Sequence, residues 1–394
     1  MVKNNKFIWM ILVAIVLVLL AFFLFFNNYN NSNSNSNSDG DYNSDGLANS
    51  LIQNSFSEDF QQNLENCSIE FTDYLVDPKY VLKVGQIGVV HGSGKTIVER
   101  SYISVKSNFT GKKVPIYAPV DMTLTSGSHY GNPATAEGSL PDYALWFDAG
   151  CGVEVNLAHL KEVVESIALQ LPEIKTDSRS IQLEKLKFKA GDLIGYFIYN
   201  EGGVAGFDFI VRDQSFTNQF INQERYEGDR ARNLIHGVCP YDFYTGEKKQ
   251  DYYNLLGGAG GKLFNVKDCG NASRDLAGTI SGMWFLDKEI TGSIYENYYN
   301  EGDYGNLLSI TGDEESVTIG YLGQSNILRV YSNEPTYKLP TQVMGEHCYQ
   351  FSSNSVNLGY AYFKVIDKMT MDIYYTPSGS CPLAMPEGGK RYYK

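Results

Sequence analysis

Positive charge is scarce in this chain. Its 394 residues carry 32 Lys and Arg against 45 Asp and Glu, a net charge of −13. A surface of that sign repels phosphate backbones, which argues against nucleic acid as a partner. Histidine (5) and tryptophan (3) are also few. The six cysteines form no C-x-x-C pair, which argues against a structural zinc site and against dithiol redox chemistry. Proline is limited to 12 residues, while glycine (38) and tyrosine (29) are plentiful. With 43% hydrophobic and 13% aromatic residues, the chain can bury sizeable cores and fits turn-rich β-structure better than a helical bundle. Its length points to about two or three domains.

Residues Phe7 to Phe26 contain no charge, proline or glycine. A helix of that length spans roughly 30 Å, the thickness of a hydrocarbon core. Lys3 and Lys6 precede it, and the next charge of either sign is Asp39. The positive-inside bias then predicts a short cytoplasmic tail (1–6), a membrane-spanning signal anchor (7–26) and an extracytoplasmic remainder. A cleaved signal peptide would have a shorter apolar run and a small-residue cleavage site, and no lipobox cysteine follows. Residues 27–49 are rich in Asn and Ser and read as a flexible stalk. Within them, Asp41, Asn43, Asp45 and Asn49 follow the oxygen spacing of a calcium loop, with Gly46 at the turn. Ile52 stands where the bidentate Glu belongs, so calcium is expected to bind weakly if at all.

All six cysteines (Cys67, Cys151, Cys239, Cys269, Cys348 and Cys381) follow the apolar segment, so an oxidising compartment and disulfides are expected. Six cysteines allow fifteen pairings. Proximity along the chain suggests Cys239 with Cys269 and Cys348 with Cys381, with buried free thiols as the alternative. Gly92-Ser93-Gly94-Lys95-Thr96 imitates the end of a phosphate-binding loop, but Val89 stands where its first Gly is required. The segment reads as a Gly/Ser turn, and no nucleotide is expected.

The middle of the chain is organised as β-hairpins. Val114–Leu124 reads as strand, Ala-Pro-Val-Asp turn and strand, and Tyr143–Phe147 and Val153–Leu157 read as further strands. His159-Leu160 then leads into a run with apolar residues at Leu160, Val163, Val164, Ile167 and Leu171, which predicts a helix. Phe188–Tyr196 contains a Lys-Ala-Gly-Asp turn, and Phe207–Val211 closes the set. This order, over residues 80–215, resembles the M23 (LytM-like) zinc metallopeptidases, which have a duplicated-hybrid-motif fold. The resemblance implies a β-barrel or sandwich domain. In that family zinc is held by a His, an Asp four residues later, and the second His of a His-x-His strand. Carried onto this sequence, the first two positions fall on Ser101 and Val105, and the third on Asp208. Gly206 takes the place of one catalytic His, and His159 keeps the place of the other. His91 and His129 lie at no matching position. A catalytic zinc needs about three protein ligands, so zinc and peptidase activity are expected to be absent. His159 by itself then reads as a structural or exposed histidine.

From Asp275 onward short aromatic and apolar runs recur about every ten residues, the pattern of an antiparallel sandwich or barrel. They include Leu307–Ile310, Ser316–Gly320, Ile327–Tyr331 and a hairpin turning at Asp367-Lys368. The expected organisation is a mainly β protein: an M23-like domain over 50–215, a connector over 216–274 and a second antiparallel β-domain over 275–394. The expected role is membrane-tethered binding or scaffolding, with envelope polysaccharide or a surface protein as partner. The alternatives are a metallohydrolase with relocated ligands and a purely structural surface protein.

Overall fold

Alternating apolar and polar residues dictate strands, and strands dominate the computed structural model. It describes residues 67–394 apart from 92–95, 132–140, 176–179, 200–204, 227–228, 259, 287, 290–305, 321–326 and 354–355. The signal anchor (7–26), the stalk and the calcium-loop residues Asp41, Asn43, Asp45 and Asn49 lie outside the described residues. No helix among the described residues is long and apolar enough to cross a membrane.

In the first half, the strands in chain order are β1 (Val81–Val84), β2 (Val89–His91), β3 (Thr96–Val98), β4 (Ser101–Val105), β5 (Lys113–Tyr117), β6 (Met122–Gly131), β7 (Pro141–Gly150), β8 (Val153–Leu160), β9 (Glu162–Val163), β10 (Ile181–Phe188), β11 (Leu193–Ile198), β12 (Gly206–Asp213) and β13 (Gly237–Val238). The second half carries β14 (Gly282–Phe285), β15 (Leu307–Gly312), β16 (Ser316–Gly320), β17 (Leu328–Tyr331), β18 (Glu346–Ser353), β19 (Val356–Val365), β20 (Thr370–Thr376) and β21 (Lys390–Tyr393). The helices are α1 (Glu165–Ala168), α2 (Asp229–His236) and α3 (Gly246–Asn254).

The first large sheet runs β1-β4-β12-β8-β7-β6-β10, with β13 added beside β12. A smaller sheet, β5-β11-β9, completes that half. The two Pro- and Gly-containing turns anticipated from sequence interlock. Asp121 accepts hydrogen bonds from the Ala190 amide at 3.0 Å and from Lys189 at 2.6 Å, and Gly191 turns the chain at φ 85°. The second large sheet runs β17-β16-β15-β14-β21-β20-β19-β18, and its edge strands approach each other to give a nearly closed barrel. The hairpin at Asp367-Lys368 joins β19 to β20 as the pattern predicts.

Two local expectations differ from the structure. The helix expected over Leu160–Leu171 shrinks to the single turn α1. Leu160 instead pairs with Tyr143, and Val163 with Gly195, so strand hydrogen bonds take up the backbone groups that a helix would need. Residues 216–274 carry α2, α3 and a buried tyrosine cluster rather than irregular chain. Tyr241, Tyr244 and Tyr252 are fully buried against the first sheet, with Tyr241 and Tyr252 stacked at 4.9 Å. The Tyr252 hydroxyl donates to the Val76 carbonyl at 3.0 Å, which satisfies its polar end. A further apolar cluster joins the two halves: Val90 and Ile97 of the β2–β3 hairpin pack with Tyr226, Met283, Phe285 and Leu307. The Gly/Ser segment read from the sequence as a turn, 92–95, lies outside the described residues; the strands on either side of it, β2 and β3, pair antiparallel.

Three disulfides close the fold: Cys67–Cys151, Cys239–Cys269 and Cys348–Cys381. The last two are the pairs suggested by proximity. The bridges span 84, 30 and 33 residues, so each restricts the unfolded chain substantially. Peptide mapping under non-reducing conditions should recover these three pairs and no others. Loss of any one bridge should cost about 2–5 kcal/mol, read as a lower thermal midpoint in reductant.

Candidate functional site

Strand register assembles the candidate site. Tyr130 of β6 lies opposite Asp142 of β7, and Asp208 of β12 lies opposite Ala158 of β8 and Tyr102 of β4. Between the pairs Tyr143–Leu160 and Ala144–Ala158 the register slips, leaving His159 as an extra residue in β8. This is a β-bulge, a device that re-aims one side chain. His159 takes φ 68°, a left-handed conformation costly for a residue with a Cβ. The result is a row of polar side chains across five adjacent strands, on the face opposite the Ser101, Ile103 and Val105 side.

His159 bridges two carboxylates. Its Nδ1 lies 2.9 Å from Asp142 Oδ2, and its Nε2 lies 3.6 Å from Asp208 Oδ2. The first is hydrogen-bonding distance; the second is a longer charge contact. Asp142 also accepts a hydrogen bond from Lys161. Asp208 accepts one from Arg100 Nη1 at 2.7 Å. Both carboxylates are almost wholly buried, and His159 is 21% exposed. Asp208 Oδ1 is buried and accepts no hydrogen bond among the described residues. Tyr102 donates to the Gly206 carbonyl at 3.0 Å.

The electrostatics follow from this geometry. Burial alone would raise the Asp142 carboxyl, but hydrogen bonds from His159 and Lys161 outweigh it and hold the group below its usual range. Burial pushes the Tyr102 and Tyr130 hydroxyls up, and the nearby Asp208 and Asp142 charges add to it, so both stay protonated donors. Two carboxylates therefore face one Arg, one Lys and one His, with neutral phenols alongside.

Of the residues singled out in the sequence, His159 and Asp208 come together. His159 is neither isolated nor merely exposed, since it is the hinge of the charge row. Ser101 does not join them: it is buried on the opposite face, hydrogen-bonded to the Gly85 carbonyl and to Tyr241, both at 2.6 Å. Val105 is a core residue. His129 packs against Tyr143 at 4.0 Å and places Nδ1 3.0 Å from the Leu171 carbonyl, on the face opposite Tyr130. His91 ends β2 in a different sheet. Arg100, Asp142 and Lys161 were missed, because sequence alone does not reveal which residues a bulge and a long-range register bring side by side. No group of three or more His, Cys, Asp or Glu among the described residues is arranged to hold a metal ion.

Compared with protein-family models, curated proteins and solved structures, the chain produces no match.

Removing the Asp142 charge leaves Lys161 buried without its partner. Asp142→Asn should therefore cost about 3–5 kcal/mol in urea denaturation. The folded carboxyl ionises more readily than the unfolded one. Its contribution is thus fully present above the ordinary carboxylate range and is lost as pH falls through the folded value. Wild-type stability should accordingly drop on acidification below about pH 4, and Asp142→Asn should flatten that acid limb.

Proposed function

We propose that this is a membrane-anchored, extracytoplasmic binding or scaffolding protein whose first β-domain is an M23-like shell without hydrolytic zinc. It engages cell-envelope polymer or a partner protein at the surface. The observation that carries the reading is the ion pair between Arg100 and Asp208. The one carboxylate left at the family's third ligand position already holds a cation, Arg100, at 2.7 Å. Asp142 is likewise engaged by His159 and Lys161. This donor set does not fit a zinc that needs about three free protein ligands and an open position for water.

Gly206 supplies a second support. A Cβ built there would lie 2.1 Å from the Ile103 carbonyl oxygen and 2.8 Å from the Tyr102 ring. The close approach of β12 to β4 leaves no room for the histidine that the peptidase family carries at this place. The array is full of charge yet balanced, and it stiffens the sheet instead of activating water.

Two measurements bear on the reading. Gly206→His should lose on the order of 3 kcal/mol of stability, because β4 and β12 must separate to admit the ring. Unchanged stability would mean that the strands have room for the catalytic residue. In co-sedimentation with isolated envelope polymer, the full chain should bind saturably without shortening the polymer's peptides. Absence of saturable binding would leave a spacer, and peptide cleavage would restore the hydrolase.

A further inference from the structure

A cavity of about 380 Å³ lies away from the charge row, where the end of β12 meets the segment around the Cys239–Cys269 bridge. Its size falls within the range of small-molecule sites. Its lining includes Asp213, Phe216, Asn218, Asp242, Phe243 and Asn271. We infer that this cavity is a carbohydrate-binding site for a neutral, hydroxyl-rich sugar ring.

The chemistry of the lining carries the inference. Asp213 accepts both of its hydrogen bonds, from the Ser215 amide at 2.8 Å and hydroxyl at 2.6 Å, through Oδ1. Asp242 accepts from the Tyr253 hydroxyl at 2.6 Å and pairs with Lys249 at 2.7 Å, again through Oδ1. Each carboxylate is thus oriented by one oxygen, and among the described residues the Oδ2 of each takes no hydrogen bond. Asn271 is fixed in the same way: its Oδ1 accepts from the Ser273 amide and hydroxyl, at 2.8 and 2.9 Å, which leaves its NH₂ as a donor. Two oriented acceptors and one oriented donor suit hydroxyl groups, each of which both gives and takes a hydrogen bond.

The buried Asn218 adds to this. Its NH₂ donates to the Leu234, Ile235 and Gly237 carbonyls, at 2.9, 3.2 and 2.7 Å, and holds the cavity wall in shape. Its Oδ1 is buried and takes no hydrogen bond among the described residues.

Apolar surface completes the site. Phe216 is 44% exposed, and Phe243, stacked on Phe71 at 5.0 Å, is half-buried in the same lining. An exposed ring offers a flat face for the C–H face of a sugar. A cationic ligand fits less well, because Asp242 already has Lys249 and only Asp213 remains uncompensated. The disulfide at Cys239 and the left-handed turn at Gly270, φ 83°, hold the wall in place, so little ordering is lost on binding.

The assignment deepens the binding reading above by giving it a site, and the two fail separately. The test is calorimetric titration of the full chain, solubilised in a detergent without a sugar headgroup, with cellotriose and tri-N-acetylchitotriose. Saturable binding of at least one trisaccharide is expected, weakened about tenfold or more by Phe216→Ala and about fivefold or more by Asp213→Asn. Phe216 is exposed and Asp213 partly so, and both variants should keep the wild-type thermal midpoint. Binding of neither sugar, or binding that both variants leave unchanged, would overturn the site. Neither result would disturb polymer co-sedimentation, which reports on the broader reading.

Discussion

Two acidic side chains buried on one sheet face set the terms for the first half of the molecule. Asp142 and Asp208 sit in the low-dielectric interior of a β-layer, where an unpaired charge costs several kcal/mol. The fold answers with Lys161 on one, Arg100 on the other and His159 between them. The bulge in β8 and the left-handed backbone of His159 are the conformational cost of that answer. Remove the cations and the sheet must bury bare charge.

On the proposed reading, the same row is what separates this sheet from a hydrolytic centre. A hydrolytic centre keeps donors free for a metal and keeps one position open to water. Here the carboxylates are engaged by His159 and by fixed cations, and a Cβ at Gly206 would collide with the Ile103 carbonyl. The carboxylates spend their hydrogen bonds on the protein's own architecture. The carbohydrate cavity is built the opposite way, with each carboxylate anchored by one oxygen and open at the other.

Many strands were legible in the sequence, β5 to β8, β11, β12 and β14 to β20 among them, because period-two alternation and turn residues survive into the structure, whereas β9, β10 and β13 were not read as strands. Ser316–Gly320 coincides with β16 residue for residue, and two disulfides follow from nearness along the chain. The region from Leu160 to Leu171 misleads because its apolar spacing suits a helix, while Leu160 and Val163 find strand partners far away. The tyrosine core of residues 241–252 was hidden for a related reason: its residues look polar, and only tertiary packing shows that their hydroxyls are satisfied. In the candidate site, His159 and Asp208 were singled out through the resemblance. Arg100, Asp142 and Lys161 were not, because pairing across strands depends on a register that a one-residue slip reverses.

The account turns on whether the polar row is closed to metal. Incubating the full chain with excess zinc, dialysing, and counting zinc per chain by inductively coupled plasma mass spectrometry tests this directly. The account predicts far less than one retained zinc per chain, with no change in His159→Ala. One zinc per chain that disappears in His159→Ala would contradict it.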